Sequence, residues 1–550
     1  MSESTIPDSL RAEVAAWINE DPDAKTREQL QRWLAEENSS ELKSCFSGFL
    51  EFGTAGLRGA LGPGPSRMNR AVVSKTAAGL ASFMKKNKID SIVIGRDARY
   101  GSEDFTRDTA EIMSGAGMKV FVLPRPLPTP VLAYAVRKLG CGVGVMVTAS
   151  HNPPQDNGYK VYLGGTVGGV EYNGSQIISP ADREISQEIS NSPALNLLPR
   201  GDAWTVLNDD VVDSYIAATS KLAPRPHRLK IVYTAMHGVG TEVLMKVFRR
   251  AGFDEPIVVP EQAEPDPDFP TVAFPNPEEP GAIDMSLALA RKVQADLVIA
   301  NDPDADRCAG AINDPIHGWR MLRGDEVGAL LGEYIARSAT NSATSNSGVF
   351  ANSIVSSSIL RKIASHYGMT FTETLTGFKY LSKVKNLRFG YEEALGYAVD
   401  STSVNDKDGI SAALMLAQLA ADLDREGKSI SDLLAEIWQR HGFHGTRQIS
   451  VRTSSVEQIN SILSRLRERT PNELAGYRVE KFDDLERPTD GLPPTNGVRF
   501  TLEGQIRIIV RPSGTEPKVK CYLEVIADDE NSAKQSLDAI EEAMRGFLVA

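Results

Sequence analysis

The chain is poor in cysteine, which argues against two common kinds of structural reinforcement. Only four cysteines occur among 550 residues, Cys45, Cys141, Cys308 and Cys521, and none forms a CxxC pair. Single cysteines this far apart argue against a disulfide framework and against a thiolate zinc site. We therefore expect the chain to work in a reducing compartment.

The sequence also lacks long apolar runs and an excess of basic charge. No run of 18 uncharged apolar residues occurs, and the first residues do not combine a basic start with an apolar stretch. We therefore expect no secretion and no membrane span, and we predict a cytoplasmic protein. The formal net charge of −12 argues against nucleic-acid binding, which depends on a basic surface. An anionic ligand would have to meet local arginines, lysines and backbone amides.

The residues that are present predict several α/β domains. A chain of 550 residues is too long for one core. Strand-like runs such as SIVIGRDAR and GVGVMVTAS alternate with helical patterns such as AVVSKTAAGLASFMKK, whereas the C-terminal region reads as antiparallel strands with two helices. The predicted fold class is therefore α/β with an α+β domain at the C-terminus. We expect an N-terminal helical extension over 1–45, α/β domains over 46–200, 201–320 and 321–445, and the α+β domain over 446–550.

A polar loop after an apolar strand contains the first candidate site. It reads Thr148-Ala-Ser-His-Asn-Pro-Pro154, and Lys160 follows it closely. Open α/β sheets gather their ligands at such strand ends. A serine there is commonplace, and a helix cap or a turn is its ordinary explanation. The adjacent His151, the rigid Asn-Pro-Pro and Lys160 instead favour a hydroxyl that carries phosphate, with Lys160 exchanging a proton with a substrate hydroxyl.

A second loop, Asn301-Asp-Pro-Asp-Ala-Asp306-Arg307, directly follows the apolar strand ADLVIA. Carboxylates at alternate positions can converge on one hard cation. A calcium-hand loop is excluded because Arg307 replaces the required glycine and Asn313 replaces the bidentate glutamate. A solvated acidic turn is the remaining alternative to a Mg²⁺ site that leaves room for a phosphate oxygen. Arg307 would add a fixed positive charge for phosphoryl oxygens.

Two further loops are weaker when each is taken alone. Gly390-Tyr-Glu-Glu-Ala-Leu-Gly396, preceded by Thr376-Gly-Phe-Lys379, offers paired carboxylates that suit vicinal sugar hydroxyls, but taken alone the motif fits an acidic surface turn better. Arg511-Pro-Ser-Gly-Thr515 combines a guanidinium, two hydroxyls and exposed amides in a possible phosphate cradle. An ordinary hairpin turn is its alternative. We expect His237, in AMHGVG, to be structural, and the histidines outside these loops show no metal-ligand spacing.

In this order and spacing, the four loops resemble the α-D-phosphohexomutase superfamily. The match extends from about residue 50 to 530 and includes Phe52-Gly-Thr-Ala-Gly-Leu-Arg58. That segment and the Glu392-Glu393-Ala394 triplet are most similar to the branch that contains phosphoglucomutase-2-type and phosphopentomutase enzymes. The resemblance implies three related α/β domains and a fourth of the TATA-box-binding-like class, arranged around a central cleft.

The resemblance also implies a mechanism and a set of site residues. Phosphorylated Ser150 would pass its phosphoryl group to a sugar monophosphate and recover the other phosphoryl group of the resulting bisphosphate. Mg²⁺ would be held by Asp302, Asp304, Asp306 and the Ser150 phosphate, with Lys160 as acid/base and His151 and Arg307 as further catalytic positions. The substrate-binding positions implied in the same way are Arg58, Thr376, Gly377, Lys379, Glu392, Lys407, Arg511, Ser513, Gly514 and Thr515.

The implied activity is the interconversion of α-D-glucose 1-phosphate and glucose 6-phosphate, with glucose 1,6-bisphosphate as intermediate and primer. Ala394 departs from many hexose-specific relatives, which have serine there, so phosphopentomutase or phosphomannomutase activity is the alternative. A phosphatase and a sugar-phosphate-binding regulator are alternatives of other kinds. The expected partner is a phosphosugar, with no nucleic acid and no membrane, and the expected state is a monomer or homodimer.

Overall fold

The computed structural model describes residues 6–340, 348–453, 455–513 and 518–549. The chain divides into two compact units. The first unit comprises Met1–Leu322 with Gly396–Asp422, and the second comprises Arg323–Leu395 with Leu423–Ala550. Each unit has its own sheets and its own apolar cores.

Three short helices open the first unit: α1 (Asp8–Glu20), α2 (Ala24–Ala35) and α3 (Ser39–Cys45). Val14, Leu30 and Leu42, one from each helix, are fully buried in a shared apolar cluster. The α2 helix begins where the side chain of Asp23 accepts a hydrogen bond from the backbone N–H of Lys25. These helices therefore form a small core of their own at the start of the chain.

A seven-stranded mixed sheet is the main layer of the first unit. In order along the sheet the strands run β1-β5-β4-β2-β3-β9, with β8 beside β5. The pairs β4/β2, β2/β3 and β3/β9 are parallel, whereas β5 pairs antiparallel with both β4 and β1. The elements of this region are β1 (Leu57–Ala60), α4 (Arg70–Lys86), β2 (Ser91–Arg96), α5 (Ser102–Gly115), β3 (Lys119–Val122), α6 (Thr129–Lys138), β4 (Val143–Val147), β5 (Asp156–Leu163), the hairpin β6 (Thr166–Val167) and β7 (Val170–Glu171), β8 (Ser175–Gln176), α7 (Ala181–Ser190) and β9 (Trp204–Val206).

A second sheet of the first unit has the strand order β11-β10-β12-β13-β14. Its first three strands are parallel and the last two continue as antiparallel hairpins. The elements are α8 (Asp210–Thr219), β10 (Ile231–Thr234), α9 (Gly240–Ala251), β11 (Ile257–Val258), α10 (Asp284–Val293), β12 (Leu297–Ala300), β13 (Ala309–Asp314) and β14 (Gly318–Met321). The α9 helix ends at Gly252, whose φ of 89° is the left-handed conformation that glycine adopts without strain.

The second unit begins with a parallel arrangement in the order β16-β15-β17. Its elements are α11 (Gly324–Thr340), β15 (Val349–Ser353), α12 (Ile359–His366), β16 (Thr370–Thr374), α13 (Phe378–Leu381) and β17 (Leu387–Glu392). The chain then returns to the first unit through β18 (Gly396–Ala398) and α14 (Gly409–Arg425). The side chain of Leu416, on α14, packs closely against Gly310 on β13. A β-carbon added at Gly310 would lie 2.8 Å from Cδ2 of Leu416.

The rest of the second unit is a six-stranded antiparallel sheet in the order β19-β24-β23-β22-β21-β20. Its elements are α15 (Ile430–His441), β19 (Phe443–Arg452), α16 (Val456–Glu468), β20 (Glu473–Leu474), β21 (Tyr477–Asp484), β22 (Val498–Leu502), β23 (Ile506–Pro512), β24 (Lys518–Ala527) and α17 (Glu530–Val549). Leu463 of α16 and Ile540 of α17 are fully buried in the same cluster as Phe500 of β22. This confirms the predicted α+β class of the C-terminal region.

The parallel arrangement places polar residues together at strand ends. In the first sheet β2 and β4 are neighbours, and the backbone N–H of Asp97, just after β2, donates to the carbonyl of Val147 at the end of β4. In the second sheet β12 ends directly before Asn301. The α/β class predicted from the sequence is confirmed. Among the described residues, no helix is both long and apolar enough to cross a lipid bilayer.

Candidate active site

Ser150 lies in the loop that joins β4 to β5, which we call the Ser150 loop (residues 148–155). Its side chain is buried, and its hydroxyl donates a 2.7 Å hydrogen bond to Oδ2 of Asp302. The backbone at Ser150 has a φ of 52°, an uncommon conformation for a residue other than glycine. Nδ1 of His151 lies 3.2 Å from the Ser150 hydroxyl. The loop therefore places the Ser150 hydroxyl against a carboxylate that follows a strand of the second sheet.

Three carboxylates converge in the carboxylate loop (residues 301–307), which follows β12. Asp302, Asp304 and Asp306 are all fully buried, and one oxygen from each lies within 4.8 Å of the others. Asp302 also accepts a 3.0 Å hydrogen bond from the backbone N–H of Arg307, which fixes the turn. The alternate spacing seen in the sequence thus brings the three side chains to one point, as expected.

Two lysines from other segments balance this negative charge. Nζ of Lys160, on β5, donates to Oδ2 of Asp304 at 2.6 Å and to Oδ2 of Asp306 at 2.7 Å. Nζ of Lys407 lies 3.0 Å from Oδ2 of Asp306. Burying carboxylates without such cations would be costly, because isolated charges are poorly solvated inside a protein.

Burial and local charge shift the pKa values of the three carboxyl groups in different directions. Burial, together with the charges of Asp304 and Asp306, raises the pKa of Asp302 to about 8. Burial alone would also raise the pKa of Asp306. The charges of Lys160 and Lys407 outweigh this effect and hold the pKa of Asp306 below its usual range. The pKa of Asp304 is likewise lowered, because hydrogen bonds and charge from Lys160 exceed the effect of burial. The two lysines thus do not relieve the repulsion at Asp302.

The carboxylate loop fits a divalent cation by its donor set and by its unsatisfied atoms. Oδ1 of Asp304 and Oδ1 of Asp306 are buried and make no hydrogen bond with any described residue. A buried oxygen without a partner is normally destabilising. Hard cations such as Mg²⁺ prefer carboxylate oxygens and bind through few of them, keeping room for other oxygen ligands. The three aspartates therefore suit Mg²⁺.

Arg58 borders the Ser150 loop, and His151 lies within it. Nη1 of Arg58, on β1, donates to the side-chain oxygen of Asn152 at 3.1 Å. The ring of His151 packs against that of Phe274, with centroids 6.2 Å apart. Burial, followed by the nearby charges of Arg307 and Arg58, lowers the pKa of His151 well below its ordinary value. His151 is therefore neutral near pH 7.

The second unit contains a separate group of the expected substrate-binding residues. The backbone N–H of Gly377 donates to the carboxylate of Glu392, which ends β17. Gly377 has a φ of 119°, and Lys379 follows it on α13. The hydroxyl of Thr376 is buried and has no hydrogen-bond partner among the described residues. These four residues therefore lie around one polar turn.

The carboxylate of Glu393, beside Glu392, is held by two serines. Ser353 ends β15, and Ser356 follows that strand. The Glu393 carboxylate accepts hydrogen bonds from the hydroxyls of Ser356 at 2.9 Å and Ser353 at 3.3 Å. Its backbone N–H donates to the Ser356 hydroxyl at 3.0 Å. Burial and the adjacent charge of Glu392 raise the pKa of Glu393. Only one of the paired carboxylates noted in the sequence is thus bound to Gly377.

Arg511 lies near the end of β23, where Nη1 is 3.5 Å from the hydroxyl of Tyr522. The backbone N–H of Ser513 donates to the carbonyl of Lys518 at 2.8 Å. Tyr522 belongs to an apolar cluster that includes Leu375, next to Thr376. Arg511 and the Gly377 turn are thus attached to a common core within the second unit. Gly514 and Thr515 lie outside the described residues.

Sequence reasoning missed three residues that contact the site. The hydroxyl of Thr129, at the start of α6, donates to Oδ2 of Asp304 at 2.6 Å. Asp97 and Arg99 follow β2, and Arg99 donates to the carbonyl of Ser150 at 2.6 Å. The signal for this pair was available, since the strand-like run SIVIGR is followed directly by the charged residues Asp97 and Arg99, with one residue between them. No comparable signal marks Thr129, because it lies at the start of an ordinary helix.

Models of the phosphoglucomutase/phosphomannomutase family match four successive parts of the chain. The α/β/α domains I, II and III match residues 50–194, 213–315 and 323–441, and the C-terminal domain matches residues 459–543. The four models thus cover most of the chain in the family's own order.

Individual relatives match almost as broadly. The chain is 48% identical over 488 residues to a probable phosphomannomutase of Haemophilus influenzae, covering 88% of this chain and 98% of that protein. It is 36% identical over 583 residues to the human phosphopentomutase, covering 96% and 93%. A phosphoglucomutase of Staphylococcus haemolyticus is 35% identical over 520 residues, covering 89% and 92%. The chain therefore belongs to the phosphoglucomutase/phosphomannomutase family and is an enzyme of the phosphohexomutase type.

Proposed function

We propose that this enzyme interconverts α-D-glucose 1-phosphate and glucose 6-phosphate by way of a phosphorylated Ser150. The observation that carries this proposal is the buried hydroxyl of Ser150, 2.7 Å from Oδ2 of Asp302 in a group of three buried carboxylates. A serine that merely capped a turn would not need a cluster of carboxylates and lysines around its hydroxyl. Phosphoryl transfer needs such positioning and charge compensation more than covalent assistance.

In the first half-reaction, the oxygen of a sugar hydroxyl forms a bond to the phosphorus of phospho-Ser150. The bond from phosphorus to Oγ of Ser150 breaks, and the hydroxyl proton passes to the acid/base group, for which we propose Lys160. The product is glucose 1,6-bisphosphate. In the second half-reaction Oγ of Ser150 takes the other phosphoryl group, and the proton returns to the sugar oxygen. The enzyme ends in its starting state, so a bisphosphate primer is needed only to phosphorylate Ser150 first.

The charges around Ser150 suit these steps. We propose that Asp302, Asp304 and Asp306, with an oxygen of the Ser150 phosphate, hold Mg²⁺. When bound, the cation compensates the charge of the phosphoryl oxygens. Arg307 and Lys407 supply fixed positive charge beside the same carboxylates, with Nε of Arg307 3.8 Å from Oδ2 of Asp302 and Nζ of Lys407 3.0 Å from Asp306. His151, being neutral, can share a hydrogen bond with Oγ of Ser150 without repelling a cation.

Residues of the second unit supply the proposed recognition of the sugar and of its unreactive phosphate. Glu392 has a carboxylate that can accept hydrogen bonds from sugar hydroxyls, and Thr376, Gly377 and Lys379 lie beside it. Arg511 and Ser513, with Gly514 and Thr515, form the proposed phosphate cradle, because a guanidinium binds a phosphate through two parallel hydrogen bonds. We propose Arg58 and Lys407, both in the first unit, as further substrate-binding positions.

Two other substrates are supported by specific relatives. The Haemophilus influenzae relative is named as a probable phosphomannomutase and the human relative as a phosphopentomutase. Ala394 also lacks the hydroxyl that a serine would offer to a hexose. The glucose proposal is supported by the phosphoglucomutase of Staphylococcus haemolyticus. We further propose a cytoplasmic location, since all four cysteines are buried and unpaired in the described structure.

The substrate is tested by kcat/KM for glucose 1-phosphate, mannose 1-phosphate and ribose 1-phosphate, with Mg²⁺ and bisphosphate primer present. We expect glucose 1-phosphate to be preferred by at least about tenfold, the scale of one well-placed hydroxyl contact. A preference for mannose or ribose 1-phosphate would replace glucose in the proposal while leaving the phosphoserine mechanism intact.

The mechanism is tested by Ser150→Ala. This change should lower kcat by at least about 10⁴-fold, because it removes the group that carries the phosphoryl group. The thermal midpoint should stay near that of the wild type, and the exposed Ser47→Ala serves as a matched control with full activity. Near-normal turnover of Ser150→Ala would contradict the mechanism. Rapid release of inorganic phosphate by the wild type without sugar would favour a phosphatase instead.

The metal site is tested by calorimetric titration of Mg²⁺ into the wild type, Asp304→Asn and the control Asp254→Asn, whose side chain is exposed. Asp304→Asn should weaken Mg²⁺ binding by at least about tenfold, because an amide is a poorer ligand than a carboxylate for a hard cation. Asp254→Asn should bind as the wild type does. Equal affinity in all three proteins would place the cation elsewhere.

A further inference from the structure

The guanidinium of Arg99 binds three backbone carbonyls of the Ser150 loop and a fourth at Asp156, the first residue of β5. Nη2 donates to the carbonyls of Ser150 and Asn152, both at 2.6 Å. Nη1 donates to the carbonyl of Pro153 at 2.8 Å and to that of Asp156 at 3.2 Å. The two terminal nitrogens carry four N–H donors, and four carbonyls between Ser150 and Asp156 accept from them. A lysine has only three donors on one nitrogen and cannot reproduce this fork.

Arg99 is itself fixed by its surroundings. Its Nε lies 3.3 Å from Oδ2 of Asp97, and its backbone N–H donates to Oδ1 of Asp97 at 3.0 Å. The hydroxyl of Ser102 also donates to Asp97, at 2.7 Å. The ring of Phe269 faces the guanidinium, 4.8 Å from the ring centroid. Asp97 and Arg99 are 1% and 4% exposed, so neither is free to reach a substrate.

The backbone at Ser150 is held on both sides. On the N-terminal side, the Ser150 N–H donates to the hydroxyl of Thr148 at 2.9 Å. On the C-terminal side, the Ser150 carbonyl is held by Arg99. Ser150 has a φ of 52°, a conformation that persists only where neighbouring contacts determine it. Arg99 supplies the C-terminal contact without touching the Ser150 hydroxyl.

We propose that Arg99, held by Asp97, is a positioning residue for phosphoryl transfer at Ser150. It keeps the Ser150 loop in the conformation that directs Oγ toward Asp302, and it does so only through backbone carbonyls. This inference rests on the proposed role of Ser150 as the phosphoryl carrier. It predicts a defect in the rate of transfer rather than in sugar binding, because a displacement of about 1 Å in reacting atoms costs about 100-fold in rate.

The test is a rapid-quench measurement of phosphoryl transfer from labelled glucose 1,6-bisphosphate to the enzyme, for Arg99→Lys and for the control Arg96→Lys. Arg96 is the last residue of β2, three positions before Arg99. Its guanidinium donates to the backbone carbonyl of Asp97 and to the carboxylate of Glu103, and it makes no hydrogen bond to the described Ser150 loop. We expect Arg99→Lys to slow transfer by about 100-fold, with KM for the sugar phosphate within about threefold of the wild type. Arg96→Lys should match the wild type in both.

A second variant keeps the test informative if Arg99→Lys folds poorly. All rates are expressed per folded molecule, and Arg99→Ala is assayed with and without added guanidinium below the concentration that unfolds the protein. Guanidinium should speed transfer in Arg99→Ala and not in the wild type. Transfer at the wild-type rate per folded molecule in both Arg99 variants would overturn the positioning role of Arg99. The proposed role of Ser150 would then stand. A wild-type enzyme that takes up no label would overturn the proposed function itself, and this inference with it.

Discussion

The proposed active site depends on the burial of three carboxylates beside one serine hydroxyl. Asp302, Asp304 and Asp306 lie within 4.8 Å of one another with no exposure to water, and such a cluster is strongly unfavourable unless cations compensate it. Lys160 and Lys407 compensate Asp304 and Asp306, but burial and the neighbouring charges still raise the pKa of Asp302 to about 8. Asp302, which accepts the Ser150 hydrogen bond, lies 3.8 Å from Nε of Arg307.

Several segments of the chain bring positive charge to the three carboxylates. Lys160 comes from β5 of the first sheet, the aspartates follow β12 of the second sheet, and Lys407 comes from the segment that returns to the first unit after β18. Asp406 anchors that segment, because its carboxylate accepts hydrogen bonds from Tyr162 and Gln176. The separate strands and loops are thus arranged to balance charge as much as to bury apolar surface.

Much of this arrangement could be predicted from the sequence, and the reasons are local. The strands β2, β4 and β12 appear as short apolar runs, and the aspartates at 302, 304 and 306 show the alternate spacing that lets side chains converge. The α/β class and the α+β C-terminal region follow from the same patterns. The resemblance to a family suggested that the four loops act together and which positions would bind the sugar, both of which their residues alone left open.

The rest depends on contacts between distant segments, which no local pattern encodes. Arg99 and Ser150 are separated by 51 positions, and their contact exists because β2 and β4 are neighbours in the sheet. Thr129 reaches Asp304 across 175 positions from the start of an unremarkable helix. The role of Glu393 was equally hidden, since only the structure shows that Ser353 and Ser356 engage it while Glu392 bonds to Gly377.

The central claim, that Ser150 carries the phosphoryl group, is tested most directly by mass spectrometry of the enzyme itself. The protein is incubated with glucose 1,6-bisphosphate and desalted, and its peptides are then mapped before and after addition of glucose 6-phosphate. The account predicts one phosphoryl group on Ser150 that leaves on addition of the sugar phosphate and reappears in bisphosphate. A phosphoryl group on another residue, or one that leaves only as inorganic phosphate, would contradict it.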